Sequence, residues 1–301
     1  MIQKSKLLLF GSNGMLGQRV AYLAQHQGCY DVICSSIEEE NFNENCEYIR
    51  GDITDKDFVK NIIKNTKPDL IINAAAYTNV DKAEDEKMLC WKINTNAVEY
   101  MAKYCKVYEI IHFVHISTDY VFDGKNGPYK EEDRVNPLGY YAKSKLAAEN
   151  AIVISNIKYT ILRTNVLYGP AIKGRPDFVK WVIDQLRNGK SINIVDDQIN
   201  NPTYLDDLAL AALNVFKLAK TGIYHIGGEE FLNRYEFTLR IADYFKLDKT
   251  LVNPIKTVEL KQKAPRPLKS GLIIDKARKE LGYNPTPIDI TFEIMKKELK
   301  I

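Results

Sequence analysis

Tyr141 and Lys145, four residues apart in this 301-residue chain, are the pair whose types and spacing suit acid catalysis. They fall in a stretch, 137–155, that reads as a helix, and a spacing of four puts phenol and ammonium on one face, about 6 Å apart along the axis. Tyr140 is five before the lysine and points elsewhere. A buried lysine charge next to a phenol favours the phenolate, and bringing a tyrosine from about 10 towards 7 takes roughly 4 kcal/mol of differential stabilisation. That is how a tyrosine becomes an acid at neutral pH. The same pair is common on exposed helices, so the surrounding chain has to supply the reason for reading it as chemistry.

That reason begins with the elements that would hold the pair in place. Residues 7–10 are a short continuous apolar run ended by Gly11, as a buried parallel strand is. Next come Gly11, Ser12, Asn13, Gly14, Met15, Leu16 and Gly17, and then a helical pattern through about His26. A strand, a GxxGxxG turn and a helix in that order form a dinucleotide-binding unit. The glycines permit close backbone approach, and the helix N-terminus attracts the pyrophosphate. The alternation continues with strands expected at 30–35, 47–50, 69–73, 110–116 and 158–163, and helices at 55–66, 82–104 and 137–155. Such alternation predicts an α/β fold, a Rossmann-type doubly wound parallel sheet. Ala74, Ala75 and Ala76 follow Asn73 at the carboxyl end of the fourth strand, where ligands of such sheets lie; small side chains there admit a cofactor ribose or simply pack well. Asn94 sits in a mostly apolar setting within the long helical stretch.

After residue 163 the pattern loosens. Helices are expected at 177–188, 205–219 and 234–245 and strands at 192–194 and 222–226, while Pro254, Pro265, Pro267, Pro285 and Pro287 mark the remainder as loops with short helices. The expected division is an NAD(P)-binding Rossmann domain over 1–165 and a smaller C-terminal substrate-binding lobe over 166–301, with some interleaving of the chain.

Composition sets the outer limits. With 42 basic against 39 acidic residues the net charge is +3, too balanced for a nucleic-acid or membrane surface. Five cysteines, an odd number without CxxC spacing, fit free thiols in a reducing cytoplasm. The apolar run near the N-terminus is too short for a signal peptide or a membrane span, so a cytoplasmic location is expected. His115 and His225 lie in apolar runs and read as core residues, and there is no metal-ligand spacing.

With these residues placed, the chain resembles the extended short-chain dehydrogenase/reductase superfamily, and within it the dTDP-4-dehydrorhamnose reductase family. The motifs carrying the resemblance are GSNGMLGQ from Gly11, NAAAYTNVDKAE from Asn73, the Asn94 position, STDYVFDG from Ser117, YAKSK from Tyr141, DDQINNPTYLDDLA from Asp196 and APRPLKS from Ala264. The resemblance implies a catalytic set of Thr118, Tyr141 and Lys145 supported by Asn94. In that set Tyr141 protonates the sugar C4 oxygen while hydride leaves the nicotinamide, Lys145 binds the nicotinamide ribose, and Thr118 hydrogen-bonds the same oxygen. It implies cofactor contacts at Gly11, Asn13, Gly14, Met15, Leu16, Gly17, Ser35, Asp52, Ile53, Ala74, Ala75 and Ala76, besides Tyr141 and Lys145. For the nucleotide-sugar substrate it points to Tyr120, Val166, Gln198, Asn201, Thr203 and Arg266. Arg266, between two prolines, suits a forked clamp on a pyrophosphate, or equally a surface ion pair.

Two positions depart from the family pattern. Val166 stands where the family often has a Trp near the sugar, which removes an aromatic platform and puts the rhamnose precursor itself in question. Ala142 replaces the family's usual Gly, a helix-compatible change. The second strand ends in Cys34, Ser35 and Ser36 with acids only from Glu38 onward, so NADP(H) is favoured as cofactor and NAD(H) stays open. The expected activity is that of an NAD(P)H-dependent oxidoreductase, a reductase of a 4-keto nucleotide sugar, with a homodimer as an open option. The alternatives are a non-catalytic dinucleotide-binding regulatory subunit, like that of methionine adenosyltransferase, and a nucleotide-sugar epimerase or dehydratase.

Overall fold

The first strand, β1 (Ser5–Phe10), has Leu7, Leu8, Leu9 and Phe10 fully buried in the computed structural model, which describes residues 4–171 and 173–301. Leu7 and Leu9 pack with α1 (Met15–Gln27) on one face, Leu8 and Phe10 in the cluster on the other. A strand covered on both faces is apolar at every position, hence the continuous run. β2 (Tyr30–Ser36), β3 (Glu47–Arg50), α2 (Lys56–Thr66) and β4 (Leu70–Asn73) follow in the expected alternation. The long helical stretch is an unbroken sequence of α3 (Lys87–Trp91), a π-helical turn Lys92–Asn96 and α4 (Ala97–Val107). Such a turn widens the helix by one residue, and Asn94 sits on it. β5 (His112–Thr118), α5 (Tyr140–Ile154) and β6 (Tyr159–Thr164) complete the first half. α5 starts at Tyr140 rather than at Pro137, and the Glu84 carboxylate accepts the Tyr140 N–H at 2.7 Å, a cap supplied from 56 residues away.

The second half contributes β7 (Leu167–Tyr168), α6 (Phe178–Arg187), β8 (Ile192–Val195), β9 (Ile199–Asn200), β10 (Thr203–Tyr204), α7 (Leu205–Lys217), β11 (Gly222–His225), β12 (Leu232–Asn233), α8 (Arg234–Tyr244), β13 (Val252–Ile255), α9 (Asp275–Leu281) and α10 (Ile288–Leu299). The main sheet has seven strands in the order β11-β6-β5-β4-β1-β2-β3, every neighbouring pair parallel. Strand order reverses between β1 and β4, and that reversal opens the crevice at their carboxyl ends.

The chain crosses the expected boundary at 165/166 more than once. β11 joins the main sheet beside β6, and α7 packs on α1, where Asp206 of α7 and Glu298 of α10 both receive the Arg19 guanidinium. The lobe has its own core around Tyr168, Phe237 and Phe292. Its prolines mislead in two places. Pro254 lies inside β13, an edge strand on β8 where a missing N–H is tolerated. Beyond Pro287 the chain forms α10, twelve residues long, which buries Ile288, Thr291, Phe292 and Met295. Pro287 precedes the helix and starts it, so a proline that reads as a breaker is a helix boundary here. Among the described residues no helix is long and apolar enough to cross a membrane.

Candidate active site

The glycine turn after β1 is built for close approach. Gly11 has φ +75°, and a Cβ on it would lie 2.5 Å from the Ala75 nitrogen; a Cβ on Gly17 would fall on the Gly11 carbonyl. Gly14 caps α1 with no side-chain hydrogen bond, so the first N–H groups of the helix, from Met15 onward, have no side-chain cap and favour an anion. The Ser12 and Ser35 hydroxyls are buried without a partner among the described residues. Uncapped amides and orphaned hydroxyls round a turn with no room for side chains fit a bound dinucleotide.

The other expected cofactor residues sit around this turn in varied roles. The Ser35 carbonyl accepts the Gly11 and Ser12 N–H groups. Asn13 Nδ2 donates to the Glu40 carbonyl at 2.8 Å and to the Glu38 carboxylate at 3.2 Å, while its Oδ1 accepts the Phe42 N–H, so it pins the β2–β3 loop over the turn. Leu16 packs into the core, as do Ala74 and Ala75 on opposite faces, and Ala76 is half-buried. Asp52 accepts the Thr54 N–H at 2.8 Å, and Ile53 packs against the α2 side of the core.

Across the crevice, Thr118 ends β5 and caps the single helical turn after it by accepting the Tyr120 N–H. Its hydroxyl donates to Asp119 at 3.1 Å, and Ser270 donates to the other Asp119 oxygen at 2.5 Å. Burial pushes the Asp119 carboxyl up to about 6, against those two hydrogen bonds. Tyr141 lies beside Thr118 and meets the Tyr120 ring edge to face at 6.0 Å. Its phenol is raised above the usual tyrosine range by burial, with the Thr118 hydroxyl pulling down and Asp119 pushing further up.

Lys145 is fully buried on α5, below Tyr141 on the same helix face, and burial brings it down to about 8 although Glu149 and Cys90 pull the other way. Its Nζ lies 2.7 Å from the Ile116 carbonyl and 3.0 Å from His115 Nε2. Among the described residues the lysine is thus engaged by the sheet, with no direct hydrogen bond to the Tyr141 phenol. α5 is locked to the sheet by a buried pair between Glu149 and Arg163, 2.7 Å, with the Ser117 hydroxyl on the same carboxylate. Asn94 makes no direct hydrogen bond to Lys145 among the described residues. Its amide accepts the Tyr77 N–H at 2.8 Å and donates to the Tyr77 carbonyl and the Ser144 hydroxyl, clamping the loop after β4 onto α5.

On the substrate side the structure departs further from expectation. Asn201 and Thr203 are fully buried, and their polar atoms are spent on Asn165, Gly228, Leu272 and Ile226. They staple the lobe to the sheet and leave no free donor for a sugar. Gln198 donates to Thr257 at 3.0 Å. Arg266 takes the ion-pair option: it binds Asp81 at 2.8 Å and the Ala264 carbonyl at 2.9 Å. Val166 is half-buried at φ +36°, an unusual backbone for a β-branched residue. Tyr120 feels the charges of Arg266 and of a residue that sequence reasoning passed over, Arg234.

Arg234 is the first residue of α8. Among the described residues its guanidinium has neither a hydrogen bond nor a carboxylate partner, and it lies 4.9 Å from the centre of the Phe178 ring. Arg19, Arg163, Arg240, Arg266 and Arg278, the other arginines that are not exposed, all hold carboxylates. The signal was present in the sequence. Asn233 and Glu236 spell a capping box that fixes the helix start, and the first turn is where the helix dipole disfavours a cation.

The uncapped glycine turn at a strand-order reversal, with Tyr141 and Lys145 on one face of α5 facing Thr118, defines the architecture of the extended short-chain dehydrogenases/reductases. The family model described as "RmlD substrate binding domain" matches residues 5–299. The chain is 36% identical to the dTDP-4-dehydrorhamnose reductase of Aggregatibacter actinomycetemcomitans over 94% of this chain and 95% of that one. A structure of dTDP-4-dehydrorhamnose reductase from Bacillus anthracis in complex with NADP superposes with a TM-score of 0.83 at 29% identity, covering 99% of this chain and 98% of that one. The chain is also 32% identical to methionine adenosyltransferase 2 subunit beta of Xenopus tropicalis, over 91% and 82% of the two chains. This chain belongs to the dTDP-4-dehydrorhamnose reductase family.

Proposed function

We propose that this chain reduces the 4-keto group of a nucleotide-linked deoxyhexose, dTDP-4-dehydrorhamnose or a close relative, using NADPH in the cytoplasm. The observation that carries the reading is the meeting of Tyr141 and Thr118 at the end of β5, across the crevice from the glycine turn. When bound, the nicotinamide supplies the hydride to C4. Tyr141 gives its proton to the C4 oxygen, and its raised proton affinity keeps the resting phenol in the form that a reduction consumes. Thr118, tied to Asp119, stands beside the phenol and helps to position it. Lys145 offers its Nζ to a ribose hydroxyl. The Arg234 guanidinium, with no salt-bridged carboxylate among the described residues, donates two parallel hydrogen bonds to the diphosphate. NADPH is favoured because β2 ends in Cys34, Ser35 and Ser36, with no acid at its carboxyl end. Five free cysteines suit a reducing compartment.

The test is loss of reduced-nicotinamide absorbance when NADPH is mixed with a panel of dTDP-4-keto-6-deoxyhexoses. Turnover with at least one sugar is expected, together with a fall of about a thousandfold in Tyr141→Phe while cofactor binding persists. Unchanged absorbance across the panel sinks the reading. The 32% identity to a methionine adenosyltransferase subunit favours one other reading, a dinucleotide-binding partner of another enzyme. A stoichiometric partner recovered together with absent turnover would establish it.

A further inference from the structure

Among the described residues Cys34 and Cys46 are the two cysteines whose sulfurs meet, at 3.1 Å. Cys34 is fully buried near the end of β2, a strand held on both edges by β1 and β3. Cys46 is half-buried in the last position before β3, outside the ladder, so it is the sulfur that solvent reaches. Hydrogen-bond directions separate the two further. Gln25 Nε2 of α1 lies 2.8 Å from the Glu44 carbonyl, which only accepts, so the NH2 end of that amide is fixed and its 3.1 Å contact with Cys46 Sγ is a donation. Cys34 points its S–H at the same sulfur. Cys46 thus collects two donors, which hold its thiol below the ordinary range, the Cys34 bond contributing most; the same bond, with burial behind it, raises Cys34. A partly exposed, thiolate-favouring sulfur against a buried thiol is the arrangement of an attacking and a resolving cysteine.

We propose that Cys34 and Cys46 are a reversible oxidation site, closed to a disulfide by hydrogen peroxide, and that closure weakens dinucleotide binding at the glycine turn. The Cys46 thiolate attacks one peroxide oxygen: the S–O bond forms, the O–O bond breaks, and the departing hydroxide takes a proton from solvent. Cys34 then attacks the Cys46 sulfur: the S–S bond forms, the S–O bond breaks, and the hydroxyl leaves as water with the Cys34 proton. In sum two thiols give up two electrons and two protons, and the peroxide becomes two waters. Bonded sulfurs sit about 1 Å closer than these two do. β2 is held by its neighbours on both sides, so the loop ending at Cys46 has to move. That loop is fastened to the glycine turn: Asn43 Nδ2 donates to the Ser12 carbonyl at 2.9 Å, and Asn13 Oδ1 accepts the Phe42 N–H at 3.0 Å. Drawing the loop towards β2 therefore pulls on Ser12 and Asn13. The effect on binding rests on the reading of that turn as the cofactor's seat; the disulfide does not.

The experiment treats the reduced full chain with stoichiometric hydrogen peroxide, maps peptides by mass without reduction, and titrates NADPH by its fluorescence before and after. The expected result is a linked Cys34–Cys46 peptide that dithiothreitol reverses, with Kd for NADPH raised at least about fivefold, the lower end of ordinary coupling between sites. Coupling is reciprocal, so saturating NADPH should disfavour the disulfide by the same factor in a glutathione redox titration. Cys46→Ser retains an acceptor for Gln25 and should bind NADPH as the reduced chain does, with peroxide and without. Cys46 carried to the sulfinic acid with Cys34 untouched, a different cysteine pairing, or a linked chain with unchanged Kd each overturns the proposal. Both readouts are independent of turnover, so inactivity on every sugar would sink the catalytic reading and leave this one standing. A reduced chain that fails to bind NADPH would overturn the cofactor reading and the coupling together, with peptide mapping still deciding the disulfide.

Discussion

The two walls of the crevice are built by different means. On the sheet side, the glycine turn, residues 74–76 and Thr118 are the carboxyl ends of neighbouring parallel strands, so register alone brings Asn73 next to His115 and Thr118 next to the crevice. On the lobe side, short two-stranded ladders and the 264–272 segment form the wall, and contacts between residues far apart in sequence decide which side chains stay free. Motif residues of the first wall gather at strand ends, whereas several on the second wall make internal hydrogen bonds. Asn201, Thr203 and Arg266 belong to the right motifs but have spent their polar atoms inside the protein, whereas Arg234 belongs to none of them and has kept its charge available. Hydrogen-bond accounting, rather than motif, separates scaffold from ligand contact there.

The largest effect expected on the sheet wall concerns Asp119. Its carboxyl titrates at about 6 in the folded chain against 3.8 when unperturbed, so between those values the folded state binds the proton more tightly than the unfolded state does. Stability therefore falls as pH rises from about 4 to about 6 and stays lower above, by about 3 kcal/mol for this group. Asp119→Asn should flatten that limb in urea titrations across this range; an unchanged limb would show that the carboxyl is already ionised at low pH.

On the lobe wall the two arginines provide a direct contrast. Arg234→Gln should raise KM for the nucleotide sugar about 10- to 100-fold, or roughly 1.4–2.8 kcal/mol, with no loss in Tm, because a cation leaves a helix N-terminus. Arg266→Gln should lower Tm and leave KM within a few-fold, since it breaks a pair with a half-exposed Asp81. The reverse pattern would restore Arg266 as the clamp. A smaller effect is expected at Val166, whose φ of +36° is strained for a β-branched side chain. Val166→Gly should cost less than about 0.5 kcal/mol in denaturant unfolding or even stabilise, while Leu167→Gly next to it should cost about 2 kcal/mol. Equal costs would mean that residue 166 carries no strain.

What was legible in the sequence follows the same divide. The strand runs, the glycine turn and the Tyr141–Lys145 spacing are local signals, and each landed on its element because parallel strands and helices declare themselves within about ten residues. His115 read as a core residue, and it is one. Its bond to Lys145 depends on register between β4 and β5, which no local pattern specifies. α10 was missed because Pro287 reads as a breaker when it is a start. Arg266 was left between clamp and ion pair because its partner, Asp81, is 185 residues away.

The smallest expected effect tests whether the sheet wall also sets cofactor choice. β2 has no acid at its carboxyl end, yet the β2–β3 loop brings Glu38 to 3.2 Å from Asn13 Nδ2, and Asn13 belongs to the glycine turn. A carboxylate there faces the same region as a 2′-phosphate and opposes it. The side chain is exposed, so solvent and salt screen the repulsion. Glu38→Gln should therefore improve kcat/KM for NADPH over NADH by only about three- to tenfold, at most about 1.4 kcal/mol, and the gain should shrink in high salt. A gain of the same size in high salt would mean that the loop acts by shape and not by charge. An unchanged ratio would mean that Glu38 faces away from the ribose, leaving Ser35 and Ser36 alone to account for the preference.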